Sequence, residues 1–279
     1  MFNLIKMDLY RLFRSTSTHV MVILAASIAA FTIYMTYYGL NMVKEDLPPS
    51  AESVDTESDD ITFGIYVDTD PQWAGGDIDY SEMLGAQLQS GLLLILVSVF
   101  ATLFVAAETR NGFVKNIAGQ FRNRGIMVTA KLVALAVQVL ILLVTFALFV
   151  LFSSLIFWGN RIVLASIPKL LQLASLQYLL HFAFACLIAF LCLLSNSAAL
   201  SMTVGILLCS SLGSLIYGLI NRMAGDSFHI EEYMLEINIS SVGAGVPSDV
   251  AVHAMFVGIG YILVTMMLSM LTVQKRDIK

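Results

Sequence analysis

The chain has 279 residues, of which 58% are hydrophobic and only 13% charged, with a mean hydropathy of +0.83. Because about a quarter of the residues in a soluble domain are charged, this composition excludes an ordinary water-soluble fold and indicates that apolar surface faces lipid. The negative net charge of −5 comes from the loops, because seventeen of the twenty acidic residues lie in two stretches between apolar runs.

Residues 1–18 are predicted to form an interfacial segment that contains a short amphipathic helix. Its apolar side chains are Phe2, Ile5, Leu9, Leu12 and Phe13, and its cations are Lys6, Arg11 and Arg14. Such a helix lies in the plane of the membrane interface, with its cations near anionic head groups. A helical extension of the first span is the alternative, although the polar run at residues 14–18 favours a break.

Six apolar runs follow, each close to the roughly 20 residues that a helix needs to cross the hydrocarbon core of a bilayer. The predicted fold class is therefore an all-α membrane protein, with a six-span transmembrane domain over residues 19–279. The predicted spans are His19–Leu40, Gln89–Ala107, Leu132–Trp158, Leu173–Leu194, Ala198–Ile220 and Ala251–Val273.

The basic residues are distributed unequally between the two sides of these spans. If the N-terminus is cytoplasmic, eleven of the fifteen Lys and Arg residues lie inside, and only Lys44, Arg161, Lys169 and Arg222 lie outside. Cytoplasmic loops of membrane proteins carry an excess of Lys and Arg. Both termini are therefore predicted to be cytoplasmic, in a multi-pass protein of the cell membrane.

Two loops are predicted on the outer side. Residues 41–87 form a long acidic loop, which is either a small folded cap or an irregular solvated stretch; its acids either attract cations or simply keep the loop soluble. Residues 221–250 form the second loop, with a helix predicted over His229–Ile239. That helix is expected to rest on the outer membrane surface or to belong to a re-entrant pair whose backbone is buried in protein.

Residues 108–131 form the longest cytoplasmic connection, between the second and third spans. Glu108 closes the second span, and Asn111 with Gly112 breaks the helix. The fourth and fifth spans are joined inside the cell only by residues 195–197. No cytoplasmic stretch is long enough for a nucleotide-binding domain, and the chain lacks the phosphate-binding G-x-x-x-x-G-K-[ST] loop. The chain is therefore not expected to hydrolyse ATP by itself.

A short helix is predicted inside this connection. Phe113, Ile117 and Phe121 are spaced by four residues and so share one helical face. The basic residues around that face are Lys115, Arg122 and Arg124. This pattern is typical of a helix that docks into a groove of a cytosolic partner, but it is equally compatible with a basic loop that carries a surface helix.

The fifth span is rich in small residues, which let helices approach closely and lend hydroxyl groups to the contact. The positions predicted to serve helix packing are Gly205, Gly213, Ser214 and Gly218. The packing partner is either another helix of the same subunit or a second copy of the chain.

The sequence contains few residues suited to catalysis within the membrane. The span centres lack Asp, Glu, Lys and Arg, which are expensive in lipid and usually functional there. His181 is the main exception, and it is expected to bond to a neighbouring helix. The pair Glu231 and Glu232 resembles that of glutamate-based intramembrane proteases but lacks supporting Arg and His residues. The three cysteines have no metal or disulfide spacing.

A family resemblance gives the cytoplasmic connection a specific meaning. Glu108, then Asn111 and Gly112, a short Lys-containing helix, an Arg, and finally Lys131 together resemble the motif of six-span ATP-binding-cassette (ABC) exporter permeases. The overall layout is also similar, with an amphipathic N-terminal elbow, a large first external loop and a surface helix before the last span. The most similar branch is that of Gram-positive peptide exporters, including those for lantibiotic self-immunity and phenol-soluble modulins. This chain has Phe113 where many members have Thr.

The resemblance implies that residues 111–124 form the coupling helix, which seats in a groove of a separate ATPase. The implied coupling residues are Glu108, Asn111, Gly112, Phe113, Lys115, Ile117, Phe121, Arg122 and Arg124. The three apolar side chains would anchor the helix, the arginines would contact the rim or lipid phosphates, and Glu108 would help to transmit movement.

The resemblance also implies the partners and the location. Two cytosolic ABC ATPase subunits would carry ATP and Mg, while this chain would bind no cofactor and no nucleic acid. A second permease subunit, identical or different, would complete a dimer in the lipid of a bacterial cell membrane. The expected cargo is hydrophobic or amphipathic, such as a peptide. The alternatives are an intramembrane enzyme and a stand-alone membrane immunity protein.

Overall fold

A computed structural model of the protein describes residues 2–46, 73, 75–110, 125–210 and 230–275. These ranges are helical apart from connecting turns and one two-stranded parallel pair, β1 (Ile78–Asp79) and β2 (Ile162–Val163). The helices are α1 (Phe2–Arg14), α2 (Thr16–Asp46), α3 (Tyr80–Gln89), α4 (Leu92–Arg110), α5 (Gly125–Trp158), α6 (Ile167–Ser195), α7 (Ala198–Cys209), α8 (Leu235–Ser241) and α9 (Ser248–Lys275).

Among the residues that the structure describes, four helices are long and apolar enough to cross a membrane. They are α2, α5, α6 and α9, and a fifth span is counted if α3 and α4, which meet at a bend of 55°, are taken together. The prediction of an all-α protein with several spans is confirmed. The fifth predicted span is described only as far as the short apolar helix α7, because residues 211–220 lie outside the described residues, so the number six remains a prediction.

The outer surface of the bundle is strongly apolar. Phe152 on α5 is 65% exposed and Phe256 on α9 is 67% exposed. Large apolar patches of this kind mark contact with a partner or with lipid. Tyr37 stacks on Phe157 and meets Trp158 edge-on where α2 and α5 approach the predicted outer side. Aromatic side chains are enriched at that boundary of a membrane.

Helix α6 lies at the centre of the described fold. It packs against α9, α4, α5, α7 and α8, while α2 packs mainly against α5. The turn between α6 and α7 is as short as predicted. Asn196 takes a left-handed conformation with φ 55°, and the side chain of Ser197 caps α7 by accepting the backbone N–H of Leu200. This turn fixes α6 and α7 as adjacent helices.

Helix α3 was not expected, because the sequence analysis placed residues 80–87 in the acidic external loop. The helix begins at Asp79, whose carboxylate accepts the backbone N–H of Ser81 at 3.0 Å. Its polar residues Ser81 and Gln87 are buried. Polar side chains normally argue against a buried helix, and they are accommodated here because neighbouring elements pack against most of α3, leaving Glu82 exposed.

The helix predicted over His229–Ile239 is also corrected. The structure has a 3-10 turn at Ile230–Tyr233, an extended residue at Met234, and then the short helix α8. Leu235 and Ile239 of α8 are buried. Tertiary contacts with α3, α6 and α9 therefore hold this segment against the bundle.

The described end of the first external loop is fixed to the turn after α5. The guanidinium of Arg161 donates to the carbonyl of Trp73 at 2.9 Å and, through Nε, to the carbonyl of Gly76 at 3.0 Å. Beside it, Ile78 pairs with Ile162 in the two strands. The chain thus enters α3 from a fixed point on the predicted outer side.

Candidate functional site

Most of the predicted coupling residues lie outside the described residues. These are Asn111, Gly112, Phe113, Lys115, Ile117, Phe121, Arg122 and Arg124. Glu108 lies in the last turn of α4, two residues before its end at Arg110. What the structure does describe is the frame of this segment, namely the end of α4 on one side and the start of α5 on the other.

Helix α1 contacts both sides of that frame. On the α4 side, Nη2 of Arg11 donates to the carbonyl of Phe104 at 3.1 Å, and the guanidinium carbon lies 4.7 Å from the centroid of the Phe104 ring. On the α5 side, Leu4 packs into a small apolar cluster with Met127 and Ala130. The N-terminal helix therefore holds the two helix ends from which residues 111–124 depart.

The buried face of α1 differs from the one that the sequence suggests. Leu12 is buried as expected, but Phe2 is 83% exposed. Asp8, which is only 3% exposed, lies at the centre of the buried face. Helix α1 packs against α5, and Lys131 of α5 is also buried. Buried residues of these types need hydrogen bonds or opposite charge to compensate their desolvation, so this end of the bundle combines a buried acidic and a buried basic side chain.

The break between α1 and α2 falls at Ser15, within the polar run that suggested it. Thr18 of α2 donates to the carbonyl of Leu12 at 2.7 Å across this break. That bond satisfies one of the carbonyl groups left over at the end of α1. Helix α1 is thus a separate element joined tightly to α2.

Gly205 is the one predicted packing residue within the described ranges; Gly213, Ser214 and Gly218 lie outside them. A Cβ atom added at Gly205 would clash with Oγ of Ser98 and would lie 3.0 Å from Cδ1 of Ile188. Helix α7 can therefore approach α4 and α6 at this level only because residue 205 has no side chain.

The interior contains buried polar groups that have no hydrogen-bond partner within the described part of the chain. The side-chain oxygens of Ser98 and Thr102 on α4 and both amide atoms of Gln138 on α5 are buried, and none has a hydrogen-bond partner among the described residues. These residues are 0% exposed. Polar side chains inside a membrane bundle are expensive and are usually related to function.

The residues that suggested an intramembrane enzyme have ordinary structural contacts. Nδ1 of His181 lies 2.8 Å from the carbonyl of Gln177, one turn earlier in the same helix and not in a neighbouring one. Glu231 and Glu232 lie in the 3-10 turn, and the carbonyl of Glu232 accepts a hydrogen bond from Asn238. Among the described residues there is no group of three or more His, Cys, Asp or Glu placed to hold a metal ion.

A cavity of about 440 Å³ opens beside α9 on the predicted outer half of the bundle. Its walls are almost entirely apolar. It is lined by Tyr233, His253, Phe256, Val257, Gly260, Tyr261 and Val264.

The fold and the surface define an all-α, multi-pass membrane protein. A family model described as "ABC-2 family transporter protein" matches residues 61–213, which is just over half of the chain. The chain therefore belongs to the ABC-2 transporter family, whose members are the membrane subunits of ABC transporters and generally work with a cytosolic ATPase. No curated protein matches the sequence.

Two features of this site were not predicted from the sequence. Arg11 was expected only to lie near lipid head groups, because its partner, Phe104, lies 93 positions away in the chain. Asp8 had no predicted role, although the spacing of four residues places it on the same helical face as Leu4 and Leu12. The latter signal was present in the sequence.

Proposed function

We propose that this chain is the transmembrane subunit of an ATP-driven exporter that moves hydrophobic or amphipathic cargo, such as peptides, out of a bacterial cell. Two copies of a cytosolic ATPase would act on two permease subunits in six-span form, with both termini in the cytoplasm. ATP and Mg would be bound by the ATPase.

Membership of the ABC-2 family is the observation that carries this proposal. The interior of the described spans supports the choice of cargo. Among the described buried residues, the charged residue types are Lys131 and, in the adjoining α1, Asp8, both at the predicted cytoplasmic end, and an interior with so few charged groups disfavours small ions. An apolar or amphipathic molecule is the class of cargo that such an interior tolerates best.

Residues 111–124 are proposed to be the coupling helix. Movement of the ATPase would press on this helix and so on the ends of α4 and α5, which α1 holds together through Arg11 and Leu4. A coupling element must be attached to a rigid frame, because otherwise the work of ATP hydrolysis would only deform the loop.

The decisive experiment replaces the three proposed anchors, Phe113, Ile117 and Phe121, by Asp in a chain expressed together with its ATPase. Loss of co-purification, with normal membrane insertion and loss of ATP-dependent export, is the expected result, since charge in a helix groove is strongly unfavourable. The matched control is Asn116→Asp together with Gln120→Asp, which adds charge beside the anchors. Full retention of the ATPase by the triple variant would reject the docking role.

A further inference from the structure

The cavity beside α9 has the dimensions of a lipid acyl chain. Its volume of about 440 Å³ lies within the range of about 300–1,000 Å³ that is typical of small-molecule sites. Its lining extends along α9 from His253 to Val264. At a rise of about 1.5 Å per residue that distance is about 16 Å, which matches one leaflet of a hydrocarbon core about 30 Å thick. One acyl chain laid along α9 therefore suits the cavity in length.

The space in the middle of the cavity lies over Gly260. A Cβ atom added at this residue would meet no other atom within 4 Å. At Gly258, by contrast, a Cβ atom would lie 3.1 Å from Cγ of Leu179 on α6. Residues two apart lie on nearly opposite sides of an α-helix. Gly258 thus allows α9 to pack on α6, whereas Gly260 leaves room on the side that faces away from that contact.

The cavity continues into an apolar surface of α9 that is exposed in the described part of the chain. At its edges, Phe256 is 67% exposed and Val264 is 56% exposed. Met267, close to one turn further along, is also strongly exposed. Helix α9 is long and apolar enough to cross a membrane, and an apolar surface of this kind on such a helix marks contact with lipid or a partner. The mouth of the cavity therefore opens towards the hydrocarbon.

Hydrogen bonds fix the outer end of the cavity. Nε2 of His253 lies 2.9 Å from the carbonyl oxygen of Glu232, and this nitrogen carries the proton because a carbonyl oxygen only accepts. Nδ2 of Asn238 donates to the same carbonyl at 2.8 Å. The ring of Tyr233 then lies beside that of His253, with 5.6 Å between the centroids. The 3-10 turn that contains Tyr233 is thus held against the start of α9 as a preformed aromatic rim.

The surroundings of this rim are acidic. Residues 230–253 contain neither Lys nor Arg, and their acids are Glu231, Glu232, Glu236 and Asp249. Glu232 is exposed and directly precedes Tyr233. Asp249 is also exposed, and it lies four residues before His253, on the same face of α9. Carboxylates and the faces of tyrosine rings both attract an ammonium group. The outer end of the cavity is therefore suited to a cation.

We propose that this cavity binds a phospholipid of the outer leaflet whose head group carries an ammonium group. One acyl chain fills the cavity along α9, and the ammonium lies at the rim beside Tyr233 and the carboxylates of Glu232 and Asp249. The same carboxylates disfavour lipids whose head group is anionic. The site is separate from the passage of cargo. It requires only that the chain crosses a membrane with the 3-10 turn on the outer side, and it does not rest on the proposed function.

Photocross-linking identifies what occupies the cavity. Phe256→p-benzoylphenylalanine places a photoreactive group at its edge. Phe152→p-benzoylphenylalanine is the matched control, because Phe152 on α5 has a similar exposure of 65% and does not line the cavity. Both proteins are reconstituted in bilayers of equal parts of dioleoyl phosphatidylethanolamine and dioleoyl phosphatidylglycerol, irradiated, and analysed by mass spectrometry.

The two lipids have the same acyl chains and one phosphate each, so the comparison isolates the ammonium group. The ratio of ethanolamine-lipid to glycerol-lipid adducts at position 256 is expected to exceed that at position 152 by about three- to fivefold, the scale of an exposed ionic contact. Equal ratios at the two positions would overturn the proposal. Adducts at position 256 that are mainly to a second copy of the chain, or to another segment of the same chain, would overturn it as well.

The rim is tested by removing its charge. In the chain labelled at position 256, Glu232→Gln combined with Asp249→Asn should lower the lipid ratio to that at position 152, since no carboxylate then attracts the ammonium. Both residues are exposed, so the fold should be retained. Glu82→Gln is the control, because Glu82 is an exposed acid of α3 outside the cavity lining. An unchanged ratio in the double variant would contradict recognition of the head group.

Filling the cavity gives a measurement without a photoreactive group. After extraction from the same bilayers, native mass spectrometry should find about one ethanolamine lipid per chain, and Gly260→Phe should reduce this retained lipid by about fivefold or more, since its ring takes the space of the acyl chain. Ile259→Phe adds the same ring at an exposed neighbour outside the cavity lining and should retain the lipid. Gly260→Leu is the smaller substitution if Gly260→Phe does not fold. Full retention by a folded variant at position 260, or no lipid on the parent chain, would overturn the site.

Discussion

The guanidinium of Arg11 lies over the ring of Phe104 and donates a hydrogen bond to the carbonyl of the same residue. These two contacts join the N-terminal helix to α4 six residues before that helix ends at Arg110. Since α1 also packs on the start of α5, it fastens both ends of the segment proposed to receive the force of the ATPase.

Arg11→Met is expected to destabilise the protein by about 1–3 kcal/mol, the combined scale of a charged hydrogen bond and a cation–π contact. Thermal unfolding of the detergent-purified protein measures this loss. Arg14→Met is the control, because Arg14 is exposed and, among the described residues, bonds within α1 to Tyr10; it should change stability by less than about 0.5 kcal/mol. Equal effects of the two substitutions would contradict the assigned role of Arg11.

Gly205→Ala should also be destabilising, by about 1–3 kcal/mol, because the new methyl group would overlap Ser98 and press on Ile188. Gly39→Ala is the matched control on α2. Its Cβ atom meets no other atom within 4 Å, so the better helix propensity of Ala should leave stability unchanged or raise it by up to about 1 kcal/mol. The same unfolding measurement on both variants checks the expected difference in sign.

Two buried glutamines are expected to respond in opposite ways to substitution by Leu. Gln177→Leu removes two hydrogen bonds to the backbone of the α8 segment and should cost about 1–3 kcal/mol. Gln138→Leu removes an amide that has no hydrogen-bond partner in the described residues, so stability should be unchanged or higher by about 1 kcal/mol. A large loss of stability for Gln138→Leu would show that its amide is bonded in the folded protein.

The predicted orientation places residue 115 in the cytoplasm. In intact cells, Lys115→Cys should not react with an impermeant maleimide until the membrane is permeabilised, whereas Asp68→Cys in the acidic loop should react at once. Mass-tag labelling followed by electrophoresis reads both results. Reaction of Lys115→Cys in intact cells would invert the topology and remove the basis of the coupling proposal.

Hydropathy located the long helices well and their ends less well. The third predicted span starts at Leu132, but α5 begins at Gly125, so the helix extends about two turns further towards the coupling segment. The fourth predicted span starts at Leu173, but α6 begins at Ile167, since Ser166 caps the helix and Pro168 suits its first turn. Such ends are set by capping groups and tertiary contacts, which a window of mean hydropathy averages away.

The amino-acid sequence by itself determined that this chain crosses a membrane several times, because lipid requires long apolar helices whatever their arrangement. It also indicated the exporter family through the order of short motifs around Glu108. Only the tertiary structure decided that α3 is a buried helix and that Arg11 is fastened to Phe104. Both depend on contacts between residues distant in the chain. A polar side chain such as Gln87 is predicted to be solvent-exposed, because the sequence does not show which distant residues bury it.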